Sequence, residues 1–312
     1  MKQVIKANYL LNNYREIIWL LGDGRSGTTW VCDLINHDKT YREMFEPFHP
    51  KYVSDVSFIM PHQYIRPYEL DEKIKKIAND IFSGKFTHER VDSANRSLLY
   101  KGIIVKDIFA NLLCYSVWLQ FQKVKPVLLL RNPFAVSLSK LKKKSWFWTT
   151  EPLDFLDQKD LYADYLFPFE DLIRQTSAKR DYILNQILIW SIINYIPLRQ
   201  FNIGSIHICF YEKIYTYPKE EIYRIIKFVK DSPNINLDEV KLSKVVNRPS
   251  RVAGKGSNLL AGTSPITSWK DEIPPKIIDD GFNILQYFGF ENLYNENSMP
   301  NEDVIKEIHI SA

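Results

Sequence analysis

The segment LLGDGRSGTTW, residues 20–30, decides the fold of this chain. An apolar run ends at Gly22, and Gly22 and Gly27 enclose four residues, as in the first half of a phosphate-binding P-loop. A glycine-rich loop between a buried strand and a helix points several backbone N–H groups at one place, at the positive end of the helix dipole. The segment therefore predicts a strand, an anion-binding loop and a helix, in that order.

The rest of the chain follows an α/β pattern, because short apolar runs alternate with longer helical patterns. Near-continuous apolar runs are typical of strands buried on both faces of a parallel sheet. We predict a P-loop-like three-layer fold with a central, mostly parallel sheet flanked by helices, in a single domain over 1–312 with a mobile tail over 295–312. The predicted strands are 16–21, 101–106, 125–130 and 205–211. The predicted helices are 28–36, 68–82, 109–121, 134–144, 180–199, 218–230 and 275–288.

Composition excludes several classes of protein. The 312 residues are 45% hydrophobic, which is enough for a sizeable core, and the net charge of +4 is too small and too scattered for a nucleic-acid module. The three cysteines, Cys32, Cys114 and Cys209, lie far apart among apolar neighbours, as reduced thiols do in a cytoplasmic protein. No apolar run reaches the roughly 18 residues of a membrane span. We expect a cytoplasmic protein with no nucleic-acid partner and no membrane span, and the oligomeric state stays open.

Several side chains of the glycine-rich loop suit an anion. Arg25 places a positive charge inside the loop, and a guanidinium can hold two phosphate oxygens at once. The glycines allow a tight path for the chain, and the serine and threonine hydroxyls add hydrogen-bond donors. The candidate anion-binding residues are Gly24, Arg25, Ser26, Gly27, Thr28 and Thr29.

Two positions depart from a P-loop that binds nucleoside triphosphates. Thr28 stands where that motif has lysine, and Arg131 follows the strand predicted over 125–130, where such proteins often have a metal-holding aspartate. The six histidines show no spacing typical of metal ligands. We therefore expect a phosphate-like ligand and no metal, rather than ATP with magnesium.

Three blocks of the chain resemble the sulfotransferases that use 3′-phosphoadenosine 5′-phosphosulfate (PAPS). GRSGTTW (24–30) is similar to their 5′-phosphosulfate loop, and its arginine is typical of the carbohydrate and tyrosylprotein branches. LLLRNPFAVSLS (128–139) is similar to their 3′-phosphate motif, in which Arg131 is followed eight residues later by Ser139. FYEKIYTYPKEEIYRIIKFV (210–229) resembles their Y-E-D-L…P segment and the helix that follows it.

The resemblance implies a site for a nucleotide with two anionic ends. Arg25 and the loop amides would hold the phosphosulfate, and Arg131 with the Ser139 hydroxyl would hold the 3′-phosphate. In the family alignment Tyr211 and Trp30 lie near the adenine, although core packing is the alternative for the tryptophan.

A basic, glycine-containing loop, NRPSRVAGKGSN (247–258), stands where the family closes over the nucleotide. The resemblance implies that three of its side chains reach the 3′-phosphate, and an ordinary surface loop is the alternative. These three candidates are Ser250, Arg251 and Lys255.

The end of the strand predicted over 101–106 departs from one branch of the family. Cytosolic sulfotransferases of small phenols and steroids have a catalytic histidine in a K-T-H sequence there, whereas this chain reads VKDIF (105–109). Lys106 keeps the place of the family lysine, which implies that it neutralises charge on the departing phosphate oxygen together with Arg25. The missing histidine favours a base elsewhere in the chain.

Glu46, in YREMFEPFHP (41–50), is the general base that the resemblance implies, because the carbohydrate and tyrosylprotein enzymes place a glutamate in this region. We expect Phe45 and Phe48 to desolvate its carboxylate and raise its pKa. His49 is the alternative base.

The resulting hypothesis is a sulfotransferase that moves a sulfuryl group from PAPS to a hydroxyl, or an amine, of a carbohydrate or small natural product. The run KLKKKSWFW (140–148) combines cations and aromatic rings that suit an anionic or sugar acceptor, although cations at a helix C-terminus are also favoured without any function. The alternatives are a P-loop nucleoside or metabolite kinase that uses ATP with magnesium, and a non-catalytic adenine-nucleotide-binding protein. The acceptor depends on the loops 37–66 and 145–158, where the resemblance is thinnest.

Overall fold

A sheet of five strands forms the centre of the structure, a computed structural model that describes residues 8–11, 14–143, 146–230, 235, 237–251 and 264–310. The strands are β1 (Glu16–Gly22), β2 (Tyr41–Phe45), β3 (Gly102–Asp107), β4 (Val124–Leu130) and β5 (His207–Phe210). They lie in the order β2-β3-β1-β4-β5, and every neighbouring pair is parallel. The predicted α/β fold class, with a parallel sheet flanked by helices, is confirmed.

Helices connect the strands. The longer ones are α1 (Thr28–Ile35), α2 (Glu72–Phe82), α3 (Cys114–Gln120), α4 (Pro133–Leu141), α5 (Glu170–Ala178), α6 (Tyr182–Gln200), α7 (Tyr211–Thr216), α8 (Pro218–Lys230), α9 (Glu239–Val246), α10 (Pro275–Tyr287) and α11 (Glu302–Ile310). Shorter helical segments are Ser54–Val56, Pro152–Phe155, Lys159–Leu161, Tyr162–Leu166, Phe167–Phe169 and Trp269–Glu272. In the described part of the chain, no helix combines the length and the apolar character that crossing a membrane requires.

The two faces of the sheet bury separate clusters of apolar residues. Successive side chains of a strand point to opposite faces, so Trp19 and Leu21 of β1 pack against one cluster, and Ile18 and Leu20 pack against the other. The first cluster contains residues of α4 and α6, and the second contains residues of α1 and α8. The sheet is therefore the middle of three layers, and the carboxyl ends of its strands meet at one edge.

The edge strand β2 is missing from the sequence prediction, because its residues 41–45 carry two charges and read as loop. Arg42 is nevertheless fully buried, and its Nε donates to Asp92 Oδ1 at 2.8 Å. A buried charge is tolerated when it is paired, and this partner lies in a loop far along the chain. The strand matters for function because Glu46 follows it directly.

The tail predicted to be mobile over 295–312 contains a helix, α11, that packs on α6. Arg199 Nη1 of α6 also donates a hydrogen bond to the carbonyl of Ile308 in α11 at 3.2 Å. The helix buries Val304, Ile305 and Ile308, which the polar run before it does not reveal in the sequence. The mobility of the tail stays a prediction.

Candidate functional site

A cavity of about 360 Å³ opens where the strands end at their carboxyl edge. Ligands of open α/β sheets bind at this edge, and the volume lies within the roughly 300–1,000 Å³ of small-molecule sites. The loop after β1, the ends of β2 and β3, and the residues after β4 and β5 all contribute to its wall. The wall contains the predicted site residues Gly24, Arg25, Gly27, Thr28, Thr29, Trp30, Glu46, His49, Lys106, Arg131, Ser139, Tyr211 and Ser250.

The loop 22–27 turns tightly into α1, as its glycines predict. Gly27 has φ 97°, and a Cβ there would lie 2.5 Å from the ring of Tyr211, so no larger residue fits. Ser26, in contrast, points its hydroxyl away from the cavity and donates it to the Asp23 carbonyl at 2.7 Å. The Ser26 hydroxyl thus stabilises the turn, and its contact with an anion stays a prediction.

Arg25 lies over the loop, facing the cavity. It adopts φ 71°, and its Nε donates to Ser139 Oγ at 3.0 Å. Burial lowers the pKa of Arg25, and the nearby charge of Arg131 lowers it further. Two like charges held together in a partly buried cavity favour the arrival of an anion.

Arg131 joins the two anion-binding regions. Its Nη1 donates to the Arg25 carbonyl at 2.9 Å, and its Nη2 donates to the Pro265 carbonyl at 2.8 Å. Its guanidinium lies 4.3 Å from the ring centroid of Tyr211. Its Nε is buried with no hydrogen-bond partner among the described residues. Ser250 Oγ is also buried there without a partner. Buried polar atoms normally have partners, so these two donors suit a ligand in the cavity.

Two aromatic rings stand where the adenine was predicted. The rings of Trp30 and Tyr211 lie 5.5 Å apart and are tilted by 56°. Trp30 is only 4% exposed, so it serves the core and the cavity wall together.

Glu46 is held between two cations at the end of β2. It adopts φ 51°, and its backbone N–H donates to the Lys106 carbonyl at 2.7 Å. Its Oε1 accepts from Lys106 Nζ at 2.5 Å, and its Oε2 accepts from Arg90 Nη2. Burial alone raises the pKa of Glu46, but the charges of Lys106 and Arg90 outweigh burial and leave the pKa below its ordinary value.

This pKa direction corrects the expectation that Phe45 and Phe48 raise it. Phe48 packs 5.4 Å from Trp19, in the core beneath the sheet. Phe45 does lie at the site, but its ring is covered by the Lys106 ammonium at 4.4 Å. Phe45 thus lies against Lys106 and Arg90, and the carboxylate has two cations beside it instead of an apolar surrounding.

His49, the alternative base, is packed among aromatic rings. Its ring centroid lies 4.5 Å from Tyr52 and 4.9 Å from Phe109. Its Nδ1 accepts from the backbone N–H of Lys51 at 3.3 Å, which assigns the proton of the neutral ring to Nε2. Burial lowers the pKa of His49 to about 4. In this tautomer neither nitrogen has a free lone pair, so Glu46 is the better candidate.

Arg90 is the site residue that the sequence analysis missed. It lies in the loop between α2 and β3, outside every motif, and it lines the cavity beside Glu46. Its partner lies 44 residues earlier in the chain, so no local pattern could reveal the pair.

Arg251 does not line the cavity wall, and its contact with the 3′-phosphate stays a prediction. Its Nε donates to Asp33 Oδ2 at 3.0 Å, and its Nη2 donates to Glu43 Oε1 at 2.6 Å. The basic residue was recognised, but two carboxylates of α1 and β2 already hold it. Lys255 lies outside the described residues.

The run 140–148 divides into a structural part and a part at the cavity. Lys140 is buried and donates to both carboxylate oxygens of Asp23 at 2.7 Å, which anchors the loop. Lys142 pairs with Glu272 at the surface. The aromatic residues Trp146, Phe147 and Trp148 line the cavity.

The sulfotransferase domain family matches residues 15–280 of this chain. Among curated proteins, none matches it. Similar solved structures include the sulfotransferase domain of the Synechococcus PCC 7002 olefin synthase, with 14% identity, a TM-score of 0.47, and coverage of 89% of this chain and 95% of that one. Mouse sulfotransferase SULT7A1 complexed with PAP has 14% identity and a TM-score of 0.45, over 100% of this chain and 95% of that one. The sulfotransferase domain from the curacin biosynthetic pathway has 13% identity and a TM-score of 0.45, over 87% of this chain and 96% of that one.

The family match covers the phosphate loop, the strand end at Lys106, and the segments around Arg131 and Tyr211. The resemblance seen in the sequence motifs is thereby confirmed at the level of the family, and the branch within it stays a prediction. This chain belongs to the sulfotransferase family and is an enzyme of that class.

Proposed function

We propose that this enzyme transfers a sulfuryl group from PAPS to a hydroxyl or amine of a carbohydrate or small natural product. The observation that carries the proposal is one cavity with two arginines from separate loops, Arg25 and Arg131, joined by a hydrogen bond of 2.9 Å. A ligand with two anionic groups matches such a pair better than a ligand with one, because each guanidinium can hold its own oxygens.

The residues around the cavity fit the nucleotide. Arg25 and the amides at the start of α1 would hold the phosphosulfate, and Arg131 with Ser250 would hold the 3′-phosphate. The unpartnered Arg131 Nε and Ser250 Oγ support this assignment, since the oxygens of a phosphate can accept from both groups. Trp30 and Tyr211 offer aromatic faces to the adenine.

Glu46 is the proposed general base. The acceptor hydroxyl gives its proton to the Glu46 carboxylate as its oxygen bonds to sulfur, and the bond from sulfur to the phosphate oxygen breaks to leave PAP. Lys106 and Arg25 would neutralise the charge that develops on that phosphate. The ion pair between Lys106 and Glu46, at 2.5 Å, supports these roles, since the proposed base lies beside the lysine that would neutralise the phosphate.

The acceptor end of the cavity favours a ring-bearing hydroxyl compound. The wall near Glu46 includes Tyr52, which lies against Arg90, and Phe147, which lies against His49. Trp146 lies against Arg25, and Lys143 adds a further cation to the wall. Flat aromatic faces suit the rings of sugars and of aromatic natural products, and the cations favour an acceptor that carries negative charge.

We expect 3′,5′-ADP, the product nucleotide, to bind without metal and at least about tenfold more tightly than ATP with magnesium. The guanidinium groups of Arg25 and Arg131 reach the cavity from separate loops, and Thr28 stands where a P-loop has its lysine. Calorimetry with both ligands in the presence and absence of EDTA measures this difference. A preference for ATP with magnesium would instead support the kinase alternative.

An acceptor screen separates the enzyme from a non-catalytic nucleotide-binding protein. Carbohydrates and small natural products with hydroxyl groups are incubated with the enzyme and PAPS, and the products are analysed by mass spectrometry for added sulfate. Tight 3′,5′-ADP binding with no sulfated product from any compound would favour the non-catalytic alternative.

Ser250→Ala is expected to weaken 3′,5′-ADP binding about fivefold, because one hydrogen bond of about 1 kcal/mol is lost. Ser243→Ala is the matched control, since that hydroxyl donates to the Val240 carbonyl at 3.0 Å, outside the cavity. Equal affinities of the two variants in calorimetry would remove Ser250 from the phosphate site.

A further inference from the structure

We propose that Arg90 is a positioning residue that keeps hold of Glu46 while Lys106 leaves it for the sulfuryl donor. The inference rests on the proposed function, in which Glu46 is the base. Both carboxylate oxygens carry a cation in this structure, Lys106 on Oε1 and Arg90 on Oε2. Because these charges keep the pKa of Glu46 low, the carboxylate accepts a proton readily only after one of the two cations has moved away.

Arg90 is the cation that stays. Its Nη1 donates to the Phe45 carbonyl at 3.3 Å, and its guanidinium lies 4.9 Å from the ring centroids of both Phe45 and Tyr52. The Phe45 N–H also donates to the Val91 carbonyl at 2.9 Å, which ties the Arg90 loop to β2. A planar guanidinium between two rings has fewer alternative positions than a lysine side chain.

Lys106 is the cation that can move. It stands on β3, and its Cα pairs with that of Leu20 on β1, close to the strand end from which the phosphate loop starts. Its side chain is a flexible stem with a compact charge, and it lines the same cavity as Arg25. The side chain is buried, and its ammonium lies 4.4 Å from the ring centroid of Phe45. An incoming phosphosulfate brings two negative charges where the carboxylate has one, so Lys106 exchanges Glu46 for it.

The exchange makes the base depend on the sulfuryl donor. Before the nucleotide binds, Lys106 and Arg90 both lower the pKa of Glu46, and the carboxylate is a weak base. After Lys106 leaves, Oε1 is open to the acceptor hydroxyl, and Arg90 fixes the carboxylate through Oε2. The pKa of Glu46 then rises towards its ordinary value, and full basicity coincides with a bound sulfuryl donor.

The first test is the pH dependence of kcat in Arg90→Met and Arg90→Lys. Loss of the Arg90 cation raises the pKa of Glu46, so kcat should rise at higher pH in Arg90→Met than in wild type. The maximal kcat of Arg90→Met should be about tenfold below that of wild type. Arg90→Lys keeps the charge and should restore the wild-type position of this rise and part of kcat. Unchanged 3′,5′-ADP affinity would show that both variants are folded.

Arg66→Met is the matched control, because Arg66 also pairs with two carboxylates, Asp160 and Asp164, but lies outside the cavity wall. Its pH profile should equal that of wild type. If Arg90→Met has a wild-type profile and a kcat within twofold of wild type, Arg90 has no positioning role. A lower kcat with no shift in the profile would indicate a purely structural role and also contradict the proposal.

The second test does not depend on turnover. Calorimetry of 3′,5′-ADP binding in buffers of different ionisation enthalpy measures proton uptake between about pH 4 and 6, around the ordinary pKa of a glutamate. Wild type should take up more protons than Lys106→Met or Glu46→Gln, because only wild type has a Glu46 pKa that rises on binding. The protonation of the ligand itself is common to all three proteins. Equal uptake would overturn the exchange.

The outcomes separate this inference from the proposed function. If Glu46→Gln keeps wild-type turnover, Glu46 is not the base and the proposed chemistry fails. If Glu46→Gln is inactive while Arg90→Met and Lys106→Met show no shift in pH profile or proton uptake, the base stands and only the exchange is wrong.

Discussion

Glu46→Gln is expected to lower kcat by at least about 100-fold without weakening 3′,5′-ADP binding, since general base catalysis contributes about 10²–10⁴ to rates. Glutamine keeps the length of the side chain and an oxygen that can accept from Lys106 or Arg90, so the cavity should keep its shape. It cannot take the proton of the acceptor. Initial rates with PAPS and an acceptor found by the mass-spectrometric screen give kcat, and calorimetry gives the affinity.

Glu43→Gln is the matched control for this substitution. Glu43 lies on the same strand, is buried and is paired with Arg251 at 2.6 Å, but it does not line the cavity. We expect its kcat to stay within a few-fold of wild type, although its thermal stability should fall. A larger loss of kcat in His49→Gln than in Glu46→Gln would reverse the assignment and make His49 the base.

Local patterns were sufficient for the parts of the site that lie on one stretch of chain. The phosphate loop could be predicted because the apolar run, the glycines and the helix start are contiguous, and the structure places Arg25 and Gly27 on the cavity wall. Arg131 follows a buried strand, and the carboxyl ends of parallel strands meet at one edge, so its approach to Arg25 also follows from the pattern.

Pairings between distant segments set the limit of the sequence prediction. The pKa of Glu46 was expected to be raised, because Phe45 and Phe48 are its visible neighbours in the sequence. The pKa of Glu46 is lowered instead by Arg90 and Lys106, which lie 44 and 60 residues away in the sequence. The sequence shows which side chains carry charge, but the fold decides which charges meet.

Arg251 shows the same limit for a binding residue. A basic side chain in the loop expected to close over the nucleotide suits a phosphate, yet Asp33 and Glu43 hold it in an ion pair. These carboxylates belong to α1 and β2, and the second of these elements was itself absent from the predicted sheet. Because β2 was absent from the predicted sheet, the sequence did not reveal the ion pair between Arg251 and Glu43.

Arg131→Met is expected to weaken 3′,5′-ADP binding by at least about 100-fold, about 2.7 kcal/mol, because charge-assisted hydrogen bonds to a phosphate are lost. Methionine retains much of the apolar stem of the side chain but loses the guanidinium that lies over Tyr211. The wild type should bind 3′,5′-ADP far more tightly than 5′-AMP, which lacks the 3′-phosphate. In Arg131→Met this discrimination should nearly vanish, and calorimetry with both ligands measures it directly.

The comparison of two ligands separates recognition of the phosphate from damage to the site. Arg131 also holds the carbonyls of Arg25 and Pro265, so its loss could disturb the whole cavity. Such damage would weaken both ligands by similar factors, and that result would contradict a specific role at the 3′-phosphate. Arg251→Met is the control for removing a positive charge, and it should keep the wild-type ratio of the two affinities. If the ratio of 3′,5′-ADP to 5′-AMP affinity falls in Arg251→Met but persists in Arg131→Met, Arg251 and not Arg131 recognises the 3′-phosphate. The ion pair of Arg251 with Asp33 and Glu43 would then have to open when the nucleotide binds.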